Sequence, residues 1–206
     1  MNKILQIYNI LFQQYGPQKW WPTRTKNKQF EVIIGAILTQ NTNWKNVEKA
    51  LINLEKENLI SKNKILSTNK RKLASLIKPS GYYNQKAERL KLAAKFFSKH
   101  KNPSRQQLLA VKGIGPETAD SILLYAFNKP IFVIDAYTKR IFSRIGMCKN
   151  KCDYHELQEI FHKSLPKKVR MFNEYHALLV ELAKKHCTKQ PSCKSCPINK
   201  LCEKLI

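Results

Sequence analysis

The stretch Val111-Lys112-Gly113-Ile114-Gly115-Pro116-Glu117-Thr118-Ala119-Asp120 constrains this chain more than any other. Gln107, Leu108 and Val111 before it, and Ala119, Ile122, Leu123 and Ala126 after it, each lay out an apolar face at helical spacing. Two glycines one residue apart predict a tight hairpin that a Cβ would obstruct. Pro116 suits the first position of the second helix, where its missing N–H costs nothing. The pattern is helix, hairpin, helix, with backbone N–H groups exposed at a helix N-terminus, which is a ready anion site. A lone G-x-G would mean no more than an ordinary tight turn. The P-E-T-A-D that follows, and the apolar run ending in Asp135, make the signal far more specific.

Charge says which anion. Lys and Arg number 38 against 14 Asp and Glu, for a net charge of +24 over 206 residues. A lysine-rich composition inflates that figure, but it does not by itself leave so few acids. The excess points to a polyanion, so the phosphates of double-stranded DNA are the expected partner. Hydrophobic residues make up 43% of the chain, enough for a real core. The N-terminus lacks a basic-then-apolar signal pattern, and the apolar run over 32–38 is too short to span a bilayer. A cytoplasmic, membrane-free monomer is expected.

Helical periodicity dominates the rest. Helices are predicted over 1–15, over 30–38, around Val47, Leu51 and Leu54, over 66–77, and around Ala87, Leu90 and Phe97. Ser104 is placed to cap the first hairpin helix, and Asp135 to cap a helix over 136–145. Further helices are predicted over 154–164 and 174–185. No strand alternation persists, so the chain reads as all-α.

The tail carries Cys187, Cys193, Cys196 and Cys202 in a C-x5-C-x2-C-x5-C spacing. Four thiols in so short a loop of a cytoplasmic protein read as a metal site, either four-cysteine zinc or an iron–sulfur cluster. Cys148 and Cys152 stand apart and read as ordinary thiols.

Leu38-Thr39-Gln40, Gly81-Tyr82-Tyr83-Asn84-Gln85-Lys86-Ala87, the hairpin, Val133-Ile134-Asp135 and the cysteine tail together resemble the endonuclease III superfamily of helix-hairpin-helix DNA glycosylases, nearly end to end. The resemblance implies a six-helix barrel domain over 22–130 and a second helical domain from 1–21 and 131–206. That second domain would carry a [4Fe–4S] cluster on the loop 187–202, with zinc as the alternative. The family tail has six residues between its first two cysteines and this chain has five. A monovalent cation at the hairpin is a further candidate ligand. By the same resemblance Asp135 is the catalytic carboxylate, against the plainer role of a helix cap. Gln40 would fill the gap left by a flipped base. Gly113 and Gly115 would bind phosphate through their backbone, with charge added by Lys112 and Lys139.

One departure bears on activity. Strand-cleaving members of the family carry a lysine two residues after the second hairpin glycine, whose amine forms a Schiff base with the sugar. This chain has Glu117 there. A carboxylate cannot form an imine. Trp20-Trp21-Pro22, the segment 38–42 and the segment 78–86 are similar to class III 3-methyladenine DNA glycosylases, which share the glutamate and lack the cysteines. In that subfamily the positions of Trp21, Pro22 and Trp44 form the base pocket. Glu117 is then either a second acid/base group or a neutral occupant of a helix first turn. The reading that follows is a monofunctional glycosylase for alkylated purines. The alternatives are an endonuclease III-like enzyme acting on uracil, mismatched thymine or oxidised pyrimidines with abasic-site lyase activity, and a non-catalytic damage-binding module.

Overall fold

Helices fall where the apolar spacing puts them in the computed structural model, which describes residues 2–148 and 153–205. α1 (Lys3–Tyr15) is capped by the Asn2 side chain. It is followed by α2 (Lys28–Leu38), α3 (Trp44–Lys56), α4 (Lys62–Ser67), α5 (Lys70–Leu76), α6 (Tyr83–Lys99), α7 (Arg105–Leu109) and α8 (Pro116–Ser121). The chain then forms α9 (Ala136–Arg144), α10 (Tyr154–Ser164) and α11 (Val169–Lys185). No strand occurs among the described residues, so the fold is all-α.

Three details differ from the sequence expectation. The helix expected over 66–77 is broken in two, because Thr68 takes an extended backbone and Asn69 caps α5 by accepting from Arg71 N. α8 runs on into a π-helical turn, Ile122–Ala126. α11 begins at Val169, well before the expected residue 174.

The chain divides into two compact units, Pro22–Asn128, and Met1–Trp21 together with Lys129–Ile206. The first is built around α2, which packs on α3, α6, α8 and the π turn. That surrounds α2 with protein and explains why its residues are apolar on every side rather than along one stripe. Its one acid, Glu31, is fully buried and accepts from Arg24 N, Thr25 N and Thr25 Oγ1 at 2.7–2.8 Å. Those donors are what make a buried carboxylate tolerable.

The second unit packs α1, α9 and α10 with α11 over an aromatic core. Phe132 stacks on Phe161 at 3.8 Å, and Tyr175 donates its hydroxyl to Ile4 O at 2.8 Å. The segment 132–134 belongs to no helix or strand. Its backbone groups bond to side chains instead: Phe132 N donates to His162 Nε2 at 2.9 Å, and Phe132 O accepts from Gln158 Nε2 at 2.7 Å. This anchoring delivers Asp135 to the start of α9.

Candidate functional site

The hairpin is locked from both sides. Ser104 and Gln107 form a reciprocal capping box at the start of α7. Gly113 has φ +89°, and a Cβ on it would lie 2.6 Å from Arg89 Nε, so both backbone and space demand glycine. Gly115 differs: its backbone is extended and a Cβ there would meet nothing within 4 Å. The expectation that both glycines serve the tight turn is therefore corrected. Gly115 leaves open space before the first turn of α8. Of the carbonyls a monovalent cation could use, Val111 O accepts from Ile114 N and Gly113 O accepts from Gln40 Nε2.

The two hairpin helices are stapled by Arg105, which grips the fully buried Asp120 carboxylate with Nε and Nη2 at 2.7 and 3.1 Å. Arg105→Ala is expected to lower stability by about 1.5–3 kcal/mol, the range for losing a hydrogen bond to a charged group, since Asp120 is fully buried. A denaturant midpoint unchanged from the parent protein would show that the pair does not hold the hairpin.

Gln40 is stowed rather than projecting. Its Nε2 donates to Gly113 O and to Thr118 Oγ1, both at 2.9 Å, and its Oε1 accepts from Arg89 Nη1. One turn before Arg89 on α6, Lys86 is buried to 1% exposure and donates to Leu38 O at 2.8 Å and to Ser80 O at 2.7 Å. A single ammonium thus pins the loop after α2 beside the loop before α6. Burial, with the neighbouring Arg89 charge, pulls its pKa down to about 8. Next to this pin Tyr82 is two-thirds exposed and has φ +46°. A bulky non-glycine residue in a left-handed backbone is strained, and such strain collects at functional sites. Sequence reading gave Lys86 and Tyr82 no separate role. The strained, exposed ring has no local sequence signal, and a buried lysine runs against the residue type's strong preference for solvent.

Asp135 does cap α9, with its Oδ1 accepting from Thr138 N at 2.7 Å and from Thr138 Oγ1 at 2.8 Å. Its Oδ2 lies 3.5 Å from His176 Nε2, and only 14% of its side chain is exposed. Burial would raise its pKa. The His176 hydrogen bond and charge, with the two Thr138 donors, outweigh that and hold the carboxyl below its ordinary range. It is an ionised, oriented carboxylate.

Glu117 sits exposed in the first turn of α8, where an acid is electrostatically favourable. Trp21 is half-buried, with its ring 5.3 Å from that of Trp20. Pro22 is exposed, and Trp44 is half-buried at the first position of α3, behind its cap Asn43. Lys112 is highly exposed, and Lys139 lies 5.8 Å over the Tyr154 ring.

Cys187, Cys193, Cys196 and Cys202 are free thiols lining one cavity, walled by Ile141, Ile145, Leu182 and Ile198. Burial, with charge from Cys187, Cys202 and Cys193, holds the Cys196 thiol above its ordinary range. Among the described residues no group of three or more His, Cys, Asp or Glu is arranged to hold a metal ion. Arg144 Nη1 lies 3.4 Å from Cys187 Sγ, and Arg140 Nε donates to Cys187 O at 2.8 Å. Cys148, expected to be an ordinary thiol, is disulfide-bonded. That expectation rested on Cys148 standing apart from the cysteine tail, whereas pairing is decided by proximity in the fold. Cys152 lies outside the described residues.

Residues 34–167 match the HhH-GPD superfamily of base excision DNA repair proteins. The chain belongs to that superfamily. A protein of Methanocaldococcus jannaschii assigned as a DNA repair glycosylase is 49% identical over 97% of this chain and 95% of its own length. The endonuclease III of Thermotoga maritima is 31% identical over 84% of this chain and 82% of its own. Among solved structures, the H. pylori 3-methyladenine DNA glycosylase bound to 1,N6-ethenoadenine is 31% identical and superposes with a TM-score of 0.79, covering 90% of this chain and 98% of that one. An endonuclease III–DNA complex gives a TM-score of 0.86 over 99% of this chain, and at 24% identity it speaks for the fold alone. No helix among the described residues is long and apolar enough to cross a membrane.

For a member of this superfamily, the residue that sequence reading missed outright is His176. It lies far from Asp135 in the chain, and helical spacing assigns it to the apolar face of α11. Only the packing of α9 on α11 brings it to the carboxylate.

Proposed function

We propose that this protein excises an alkylated purine from double-stranded DNA by hydrolysing the N-glycosidic bond, and that it leaves the strand intact. The observation that carries the reading is Asp135, a nearly buried carboxylate kept ionised and fixed by Thr138 and His176 in a chain of a base-excision family. As a cap alone it would need no second partner.

The chemistry follows. The damaged nucleotide leaves the stack at a cost of a few kcal/mol, least for a weakened base. The net charge of +24 and the open backbone before α8 hold the flanking phosphates. In 3-methyladenine the base already carries positive charge. Breaking the glycosidic bond moves the bonding pair onto the base, which departs neutral, and leaves positive charge on the sugar. Asp135 stabilises that charge and orients a water whose oxygen adds to the sugar carbon, its proton passing to the Asp135 carboxylate and on to solvent. Trp21 and Trp44 each carry an indole face, and a cationic base stacked on an indole gains about 0.5–2 kcal/mol that an undamaged base does not. The 31% identity with a 3-methyladenine glycosylase supports the same substrate class. Duplex oligonucleotides carrying one alkylated purine, uracil, mismatched thymine or an oxidised pyrimidine test it. Free base is expected from the first alone. Release of a pyrimidine with the purine untouched overturns the substrate assignment.

We assign the four thiols to a [4Fe–4S] cluster. A single zinc ion about 2.3 Å from each sulfur would draw all four to within about 4 Å of one another. The four thiols line one cavity with apolar walls, a setting that suits a polynuclear group with one thiolate per iron. When bound, the cluster ties residues 187–202 together and relieves the mutual repulsion of the thiolates. The protein is expected to be brown, with broad absorption at about 400 nm, and Cys196→Ser to be colourless. Anaerobically prepared protein that is colourless and holds one zinc per chain overturns the assignment.

A further inference from the structure

His176 stands in the middle of α11, a helix whose other inward positions, among them Phe172, Tyr175 and Leu179, are apolar or aromatic and buried. Burying an imidazole among them is costly without a polar purpose. Its side chain is 8% exposed, and its Nε2 lies 3.5 Å from Asp135 Oδ2. Thr138 spends both its donors on Oδ1 and leaves Oδ2 to the histidine.

We propose that His176 is a positioning residue for the glycosylase reaction: it fixes the plane of the Asp135 carboxylate and keeps it charged without consuming Oδ2. This rests on the reading of Asp135 as the reacting carboxylate.

The choice of residue fits that task. Arginine or lysine at this point would form a short, permanently charged pair with Oδ2 and cancel the negative charge that the cationic sugar needs. An apolar residue would leave Oδ2 with desolvation alone, which favours the neutral acid. An imidazole presents an N–H to the carboxylate whether neutral or protonated. At 3.5 Å it orients Oδ2 yet leaves lone pairs on it for water or sugar. Catalytic contacts of this length commonly tighten once substrate is bound. The position of His176 is itself secured, since Tyr175 beside it is bonded to Ile4 O and Phe172 packs edge-on against Phe132.

The effect on pH has a definite sign. The His176 hydrogen bond and charge lower the Asp135 pKa, so removing them must raise it, and the acid limb of the rate–pH profile must move to higher pH. His176 is the titratable side chain that acts on Asp135. The charged residues elsewhere on α9 and α11, among them Lys139, Arg140, Glu174 and Glu181, are not among the causes of its shift.

The test uses the full chain with its tail intact, in single-turnover excision from alkylated duplex DNA across pH. Affinity for a duplex containing an abasic site is measured alongside. His176→Leu is expected to lose about 10- to 100-fold in rate, with unchanged affinity and an acid limb displaced upward. His176→Gln keeps an N–H donor but removes the titratable charge. It is expected to recover most of the rate, with a limb still displaced. A packing defect alone would lower melting temperature and rate without moving the limb. Should His176→Leu not fold, the limb of His176→Gln decides. A wild-type limb in the variant that folds, alongside an inactive Asp135→Asn, overturns the inference and leaves the Asp135 reading standing. Wild-type excision by Asp135→Asn overturns both.

Discussion

Asp135→Asn is expected to lose base release by at least about 10³-fold while folding normally and binding DNA as tightly as the parent or tighter. The three outcomes separate because capping and the proposed catalysis ask different properties of Asp135. As the cap of α9 it accepts from Thr138 N and Oγ1, and asparagine is an equally good cap through its own oxygen. Asparagine nearly keeps the shape and removes the charge, so helix and pocket survive. On the proposed mechanism, what is lost is the anion that stabilises the cationic sugar. Removing a negative charge from a protein that binds phosphates does not weaken that binding. Asp135→Ala is the useful contrast, since it loses the cap as well and should fall by about 0.5–2 kcal/mol in stability. Chemical quench of single-turnover reactions gives the rate, and a fluorescence titration with abasic-site duplex gives the affinity. An asparagine variant with near-parental excision would remove Asp135 from the chemistry and reduce it to a helix cap.

Most of what made Asp135 recognisable is short-range. Its capping role, the helix after it and the apolar residues before it all lie within one stretch of chain, and local spacing suffices to read such features. The hairpin was legible for the same reason, through Pro116, the capping Ser104 and the flanking periodicity. Where the sequence was silent, the determinants are tertiary. Lys86 is buried because α6 brings it to two carbonyls, Leu38 O at the end of α2 and Ser80 O in the 3-10 turn 78–80, that accept its protons. Gln40 is held by Arg89 and by the hairpin, and no local pattern announces either contact. The π turn at Ile122–Ala126 keeps the apolar content of an ordinary helix and so has no signature in spacing. The break between α4 and α5 is a different kind of miss. Asn69 caps α5 while the apolar spacing continues across it, so spacing alone does not mark the break.

The second large effect concerns Glu117. The unmodified protein is expected to leave an intact abasic site that breaks only on heating in alkali, and borohydride is expected to trap no covalent protein–DNA adduct. The reason is chemical. Strand cleavage by the family route needs a neutral amine to attack the sugar and form an imine, and a carboxylate has neither the lone pair on nitrogen nor the valence to do so. Glu117 is exposed in the first turn of α8, directly after the open backbone at Gly115, so the position faces outward from the hairpin rather than into the core. Glu117→Lys puts an amine there. It is expected to gain measurable trapping and some strand cleavage, at a level below that of a strand-cleaving enzyme. An exposed lysine stays protonated at neutral pH, and the helix N-terminus, which favours acids, contributes only modestly to lowering its pKa. Lys86 shows what a large downward shift requires in this fold: near-complete burial and a neighbouring guanidinium, neither of which the α8 first turn supplies. Raising the pH should therefore increase trapping by Glu117→Lys steeply while leaving the parent protein at background. Efficient trapping by the parent protein at neutral pH would sink the monofunctional reading, because it would mean that one of the chain's many other lysines reaches the sugar.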